Sequence, residues 1–97
     1  MQTHVTFRHM KGHHPNLAQE AEELVQSFEK YYEGIVSANV EFLNEAEKSV
    51  QFTVHIQGST LVAREASDDF GKSLNLAADK IVRQLKKWKT KHQNHRP

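Results

Sequence analysis

The sequence predicts an α+β domain in which a four-stranded sheet carries two helices packed on one face. In four short segments, apolar residues alternate with polar ones, as they do in half-buried strands. In two longer segments, apolar residues recur every three or four positions, as they do along amphipathic helices. Each segment therefore has one polar side. A sheet covered on one side by both helices, in the order β-α-β-β-β-α, buries every apolar side.

The chain begins with a strand and a helix. Thr3 to Arg8 alternates and predicts a strand, and Lys11 to His14, with Gly12 inside it, predicts a turn. Pro15 suits the first position of a helix, because its missing N–H would have no partner within the helix there. We expect this helix to run from about Pro15 to Tyr32 and to end at Gly34. Its inward residues are Leu17, Ala21, Leu24, Val25, Phe28 and Tyr32. Its outward residues are acidic, namely Glu20, Glu22, Glu23, Glu29 and Glu33.

Three further strands follow this helix. Ile35 to Leu43 and Lys48 to Gln57 both alternate, and the polar residues 44–47 between them predict a hairpin loop. A second turn over residues 57–60 leads to a shorter strand from about Thr60 to Glu65. The inward residues of the first two of these strands are Val36, Ala38, Val40, Phe42, Val50, Phe52, Val54 and Ile56.

The last third of the chain, Ser67 to Arg96, predicts one long basic amphipathic helix. Ser67 can act as its N-cap, and Asp68 and Asp69 place negative charge in the first turn, where the helix dipole favours it. The apolar stripe consists of Phe70, Leu74, Ala77, Ala78, Ile81, Leu85 and Trp88. On another side, steps of three, four and four residues align Lys80, Arg83, Lys87 and Lys91 along one ridge.

Charge is segregated along the chain, although the net charge is only +1. Residues 1–79 hold 6 Lys/Arg and 12 Asp/Glu, a formal charge of −6, whereas residues 80–97 hold 7 Lys/Arg and no acid, a formal charge of +7. A merely solvated helix would normally mix in acids for i,i+4 pairing, and like charges at this spacing repel. The basic segment therefore indicates a polyanionic partner.

Composition excludes several other classes. The chain has no Cys, so disulfides and thiolate metal sites are ruled out. No apolar run approaches the roughly 20 residues of a membrane span, and we expect a soluble, cytoplasmic protein. His9, His13 and His14 cluster, but Gly12 and Pro15 break the helix that would align them. His92 and His95 have chelating spacing without an evident third ligand. With no catalytic motif either, we expect no enzyme, metal, cofactor or small-molecule substrate.

Two segments resemble a known family, the ribosome hibernation-promoting factors. YYEGIVSA at residues 31–38 is similar to the family's helix-to-strand junction, KLEKYFDRI followed by a small residue and valines. DDF at residues 68–70 and ADKIVRQLKK at residues 78–87 are similar to the signature of its second helix, DDMY…DKLERQLRKHK. The resemblance extends over the whole chain, including the order of elements.

The resemblance implies a function. Small members of the family bind the small ribosomal subunit in the channel for messenger RNA and transfer RNA anticodon ends, where their basic helix contacts 16S ribosomal RNA. They silence translation in starved or stationary cells. The length predicts a single domain over residues 1–97, here the ribosome-binding domain, with residues from about 93 to 97 frayed. The resemblance further implies a short form of the factor. The matching positions expected to bind ribosomal RNA are Lys80, Arg83, Lys86, Lys87, Lys89 and Lys91.

The acidic first helix departs from the family, in which this helix is usually basic, so the resemblance implies no RNA contact there. Trp88 and Tyr31 lie at or beside apolar stripes and are expected to pack in the core rather than stack on bases.

Two other functions remain open. One is a general double-stranded-RNA-binding module, and the other is a protein-interaction adaptor. The adaptor would use the outer sheet face, lined by His4, Thr6, Arg8, Thr53 and His55.

Overall fold

A computed structural model describes the backbone of residues 1–93 and the side chains of residues 1–90. The predicted order of elements is confirmed. Residues 94–97, which hold most of the tail predicted to fray, lie outside the described part. The elements are β1 (Gln2–Arg8), α1 (Pro15–Phe28), β2 (Ile35–Asn44), β3 (Lys48–Ile56), β4 (Ser59–Ser67) and α2 (Phe70–Gln93).

The four strands form one mixed sheet in the order β1-β2-β3-β4. β1 and β2 are parallel, because the chain crosses back through α1 between them. The two hairpins that follow make β3 antiparallel to both β2 and β4. On one side of this sheet α1 lies against β1, and α2 lies against β3 and β4. The predicted α+β architecture is therefore confirmed.

The core lies between the sheet and the helices. Phe28 of α1 meets Phe52 of β3 edge to face, with ring centroids 5.6 Å apart. Phe7, Phe42 and Phe70 form a second aromatic series at the end of the sheet where both helices begin. The fully buried large side chains are Phe28, Phe42, Phe52, Leu74, Ile81, Leu85, Val25, Val40, Val50 and Val54.

The start of β2 differs from the predicted alternation. The pairing of β2 with β3 shifts register between Ile35 and Ser37. This bulge inserts one residue, which reverses the sides of the residues before it. Ile35 is consequently 7% exposed, whereas Val36, predicted to face inward, is 60% exposed.

The end of α1 also differs. The helix ends at Phe28, and residues 29–32 form a tighter turn in which Lys30 N–H donates to Ser27 O and Tyr31 N–H to Phe28 O. Gly34 lies beyond this turn and is not a left-handed cap. Glycine is required here for its small size, because a Cβ at this position would lie 2.6 Å from the Tyr32 ring.

The junction of β4 and α2 corrects the predicted N-cap. β4 runs on to Ser67, two residues past Glu65, the last residue predicted for this strand. Asp69 caps α2, since the Lys72 N–H donates to Asp69 Oδ2 over 2.8 Å. The Ser67 hydroxyl accepts from the Asp69 N–H, and the buried Ser73 hydroxyl donates to Lys48 O on β3. Asp68 and Asp69 thus both precede α2, and the first turn of this helix holds no acid.

Candidate nucleic-acid interface

The buried face of α2 fixes the direction of its cations. Leu74, Ala77, Ile81 and Leu85 are fully buried against the sheet, as the apolar stripe predicted. Side chains on the opposite side of the helix must therefore point to solvent. From Lys80 onward, the exposed cations among the described side chains are Lys80, Arg83, Lys86, Lys87 and Lys89. The side chain of Lys91, the sixth residue predicted to bind ribosomal RNA, lies outside the described residues.

Three of these cations have no protein partner. Arg83, Lys87 and Lys89 make neither an ion pair nor a hydrogen bond with any side chain among residues 1–90. A helix rises 1.5 Å per residue, so these three span about 9 Å along the axis. We call Lys80, Arg83, Lys87 and Lys91 the α2 ridge. Within the described residues, Arg83 and Lys87 are its cations available to phosphates.

Two cations have neighbours that the sequence did not indicate. Lys80 Nζ pairs with the Glu65 carboxylate on β4, 15 positions earlier in the chain. Lys86 Nζ lies 5.3 Å from the centre of the Tyr31 ring, within the range of a cation–π contact. Neither contact follows a helical spacing, so only the packing of α2 on β4 and on the end of α1 reveals it.

The far end of α2 is fastened to the rest of the domain. The Trp88 indole N–H donates to the Tyr32 hydroxyl over 3.2 Å, and Gln84 Nε2 donates to Val62 O on β4 over 2.9 Å. Trp88 and Tyr31 are half-buried and pack against the core, which confirms the core positions predicted for them. These contacts hold the helix that carries the ridge in one orientation on the sheet.

The other helix presents the opposite charge. The acidic side predicted for α1 is exposed, and its last turn holds no basic residue. Gln19 Nε2 donates to Glu23 Oε2 on this side. The middle of α1, where Glu20, Glu22 and Glu23 are exposed, therefore repels a polyanion.

The outer face of the sheet is polar and uncovered within the described residues. His4, Thr6 and Thr53 line a shallow groove across it. Arg8 is not a free cation there, because Glu41 Oε2 lies 3.3 Å from its guanidinium. His55 Nδ1 is within 3.2 Å of Thr60 Oγ1. Arg64 of the same face donates to Ser49 Oγ over 3.5 Å, so this face is chiefly a hydrogen-bonding surface.

Within the described part of the chain, no three His, Asp or Glu side chains gather closely enough to hold a metal ion. Neither described helix is both long and apolar enough to cross a bilayer.

Comparisons with known proteins identify relatives of this chain. The chain is 31% identical over 97 residues to a ribosome hibernation promoting factor of Pseudomonas putida, covering 97% of this chain and 92% of that one. It is 30% identical over 81 residues to the ribosome hibernation promotion factor of Bacillus subtilis. It is 31% identical over 71 residues to the hibernation factor of Azotobacter vinelandii. The alignments span 43% of the Bacillus protein and 66% of the Azotobacter protein.

Two solved structures share the fold. A ribosomal subunit interface protein from Coxiella burnetii superposes with a TM-score of 0.83 at 27% identity, covering 93% of this chain and 99% of that one. The N-terminal domain of Thermus thermophilus Protein Y gives a TM-score of 0.81 at 16% identity, covering 91% and 99%. The sequence profile of one family, described as Sigma 54 modulation protein / S30EA ribosomal protein, matches residues 3–93. The chain belongs to the Sigma 54 modulation protein / S30EA ribosomal protein family.

Proposed function

We propose that this chain is a ribosome hibernation factor, which binds the small ribosomal subunit through 16S ribosomal RNA in the messenger RNA and transfer RNA channel. Occupying that channel would repress translation in starved or stationary-phase cells, and the protein would act in the cytoplasm, where ribosomes are. The names of the relatives support the ribosome as partner. The α2 ridge supports RNA as the contacting surface.

The observation that carries this proposal is the set of unpaired cations on α2. Arg83, Lys87 and Lys89 are exposed and have no carboxylate at ion-pairing distance within the described residues. Cations on one side of a helix bind phosphates and the shape of a folded RNA rather than base sequence. The ridge would supply affinity, and the fit of the domain in the channel would supply specificity.

The binding mode requires no catalysis. A domain that fills the channel prevents messenger RNA and transfer RNA from occupying it. Lys80, Lys86 and Lys91 would add contacts beside the three unpaired cations. Lys80 would have to exchange Glu65 for a phosphate, and Lys86 would have to leave the Tyr31 ring or bind while stacked on it.

The proposal is tested by sedimentation of the purified protein with purified small subunits. We expect comigration with the subunit, loss of bound protein when a messenger RNA and its transfer RNA are added first, and inhibition of translation in a purified system. Comigration that messenger RNA and transfer RNA do not affect would contradict the channel as the binding site.

The same experiment distinguishes the two alternatives. A general double-stranded-RNA-binding module would be removed from the subunit by an excess of an unrelated RNA duplex. An adaptor acting through the outer sheet face would bind a protein partner in high salt and would not need the α2 cations. The neutralised Arg8 and the mixed polarity of that face give no support to a polyanion there.

A further inference from the structure

The last turns of α2 carry cations beyond the part of the helix that is fully buried on the sheet. Among the described side chains, Leu85 is the last fully buried one on this helix, and Lys87 and Lys89 follow it. Cations three or four positions apart repel each other, and residues 80–97 contain no acid to offset that repulsion. The end of a helix also lacks partners for its last carbonyl groups. An interaction from outside α2 is therefore needed to keep this end ordered.

A hydrogen bond from the segment between α1 and β2 provides such an interaction. Trp88 lies between Lys87 and Lys89 in the chain, and its indole N–H donates to the Tyr32 hydroxyl over 3.2 Å. Both aromatic side chains are half-buried and pack against the core. The bond joins residues 56 positions apart, so it ties the end of α2 to the body of the domain.

Gly34 makes room for the Tyr32 ring. A Cβ at position 34 would lie 2.6 Å from Tyr32 Cε2 and 3.0 Å from the Tyr32 hydroxyl oxygen. The backbone on both sides of this contact is held, because Gln57 N–H donates to Gly34 O and Tyr32 N–H donates to Phe28 O. A larger residue at position 34 would therefore displace the ring, and with it the hydroxyl that accepts from Trp88.

Two further contacts fix the direction of the preceding turn of α2. Gln84 Nε2 donates to Val62 O on β4, and Lys86 Nζ lies over the Tyr31 ring at the end of α1. Residues 84 and 86 are about 200° apart around the helix axis, so these contacts hold the helix from two sides. The bond of the Trp88 side chain extends this support by one turn, to the cations at positions 87 and 89.

We propose that Gly34, Tyr32 and Trp88 act together as positioning residues for RNA binding, and we call these three residues the α2 clasp. Gly34 admits the Tyr32 ring, Tyr32 holds Trp88, and Lys87 and Lys89 thereby keep a fixed direction. A cation that is already ordered binds a phosphate at a lower entropic cost than one on a fraying helix end. This inference rests on the proposed function, since the RNA in question is that of the ribosome.

Four sets of variants test the clasp. Tyr32→Phe removes the hydroxyl and keeps the ring, whereas Gly34→Ala keeps the hydroxyl and displaces the ring. The matched control is Tyr31→Phe, because the Tyr31 hydroxyl makes no hydrogen bond within the described residues. Lys87→Gln with Lys89→Gln removes the cations that the clasp is inferred to position.

Nuclear magnetic resonance examines the clasp without the ribosome. The chain has one Trp, so its indole N–H signal is unambiguous. In Tyr32→Phe and Gly34→Ala, we expect that signal to shift and the amides of residues 86–90 to exchange about two- to tenfold faster, the effect of losing one hydrogen bond. Amides of residues 74–81 should be unaffected, and Tyr31→Phe should match the unmodified protein. Unchanged exchange of residues 86–90 in both clasp variants would overturn the proposal.

The affinity for purified small subunits then tests whether the clasp acts through the cations. Tyr32→Phe and Gly34→Ala should each weaken binding by about two- to fivefold, because apparent affinity falls with the fraction of molecules in the binding-competent form. In the Lys87→Gln, Lys89→Gln background, the same substitutions should have almost no further effect. A general loss of stability would not produce that coupling.

Equal losses of affinity with and without the two lysines, or faster exchange with unchanged affinity, would overturn the proposal. Failure of the unmodified protein to bind subunits would instead contradict the proposed function. In that case, the same cycle of variants measured with a short RNA duplex would support or overturn the clasp.

Discussion

The two helices pack on the same side of one sheet, yet their exposed faces are opposite in charge. α1 buries Ala21, Val25 and Phe28, and α2 buries Leu74, Ile81 and Leu85 among others. The solvent side of α1 is acidic, while α2 carries six exposed cations among its described side chains. Burial thus follows the same physics in both helices, and the exposed residues alone determine which of them can approach a polyanion.

The largest expected effect is a loss of stability when the buried face of either helix is truncated. Phe28→Ala in α1 should cost about 3–5 kcal/mol of the free energy of unfolding, and Leu74→Ala in α2 about 2–5 kcal/mol, because each leaves a cavity in a closely packed core. Chemical denaturation monitored by circular dichroism measures both. Losses below about 1 kcal/mol for either variant would mean that its helix does not pack as described.

The second expected effect is the salt dependence of binding by the basic helix. If about five side chains neutralise phosphates, affinity for the small subunit should fall roughly two to three orders of magnitude between about 50 and 200 mM salt. The acidic helix cannot produce that trend. A binding constant that barely changes over this range would exclude the α2 cations as the main contact.

The third effect concerns how the two helices begin. α2 has a side-chain cap, Asp69, whereas α1 starts at Pro15 after His14, which makes no side-chain capping bond. Asp69→Ala should therefore destabilise the domain by about 1 kcal/mol. Asp68→Ala is the matched control, since Asp68 is exposed and makes no hydrogen bond within the described residues. Equal melting temperatures for the two variants would contradict the assignment of the cap.

The smallest expected effect compares Glu65, the acid that pairs with Lys80, with an acid of α1. Glu65→Gln frees Lys80 and should tighten subunit binding by up to about fivefold, the equivalent of an exposed ion pair worth no more than about 1 kcal/mol. Glu22→Gln removes the same charge from α1 and should change affinity less. Weaker binding by the Glu65 variant would show that Glu65 positions Lys80 rather than competing with RNA.

The sequence predicted the buried faces well because periodicity records which side of an element is apolar. Val50, Phe52, Val54 and Ile56 alternate and are all buried as expected. Periodicity cannot reveal an inserted residue, so the bulge at Val36 went undetected. Nor could it choose between Ser67 and Asp69 as the cap, because both residue types cap helices and the difference depends on where β4 ends.

The candidate site likewise combines features that a local sequence pattern predicts with contacts that it does not. The direction of the cations follows from the apolar stripe of α2, so the sequence placed Arg83, Lys87 and Lys89 on the surface correctly. The contacts of Lys80 with Glu65 and of Lys86 with Tyr31 join residues far apart in the chain. Such pairs arise only when the elements are packed, and no local spacing indicates them.

The central claim is that position on α2, rather than total charge, determines binding. Arg83→Glu with Lys87→Glu reverses two cations of the ridge, and Lys11→Glu with Lys30→Glu reverses two exposed lysines outside α2. Each double variant changes the net charge by the same amount. All four side chains are exposed, so each change should alter stability by no more than about 0.5 kcal/mol.

The decisive measurement is the affinity of these two variants for purified small subunits at one salt concentration, with equal melting temperatures confirmed first. We predict that the ridge variant loses binding and translation inhibition, whereas the other variant keeps most of both. Equal loss of affinity in the two variants would contradict the claim, because it would show that the ribosome responds to net charge and that the α2 ridge has no special role.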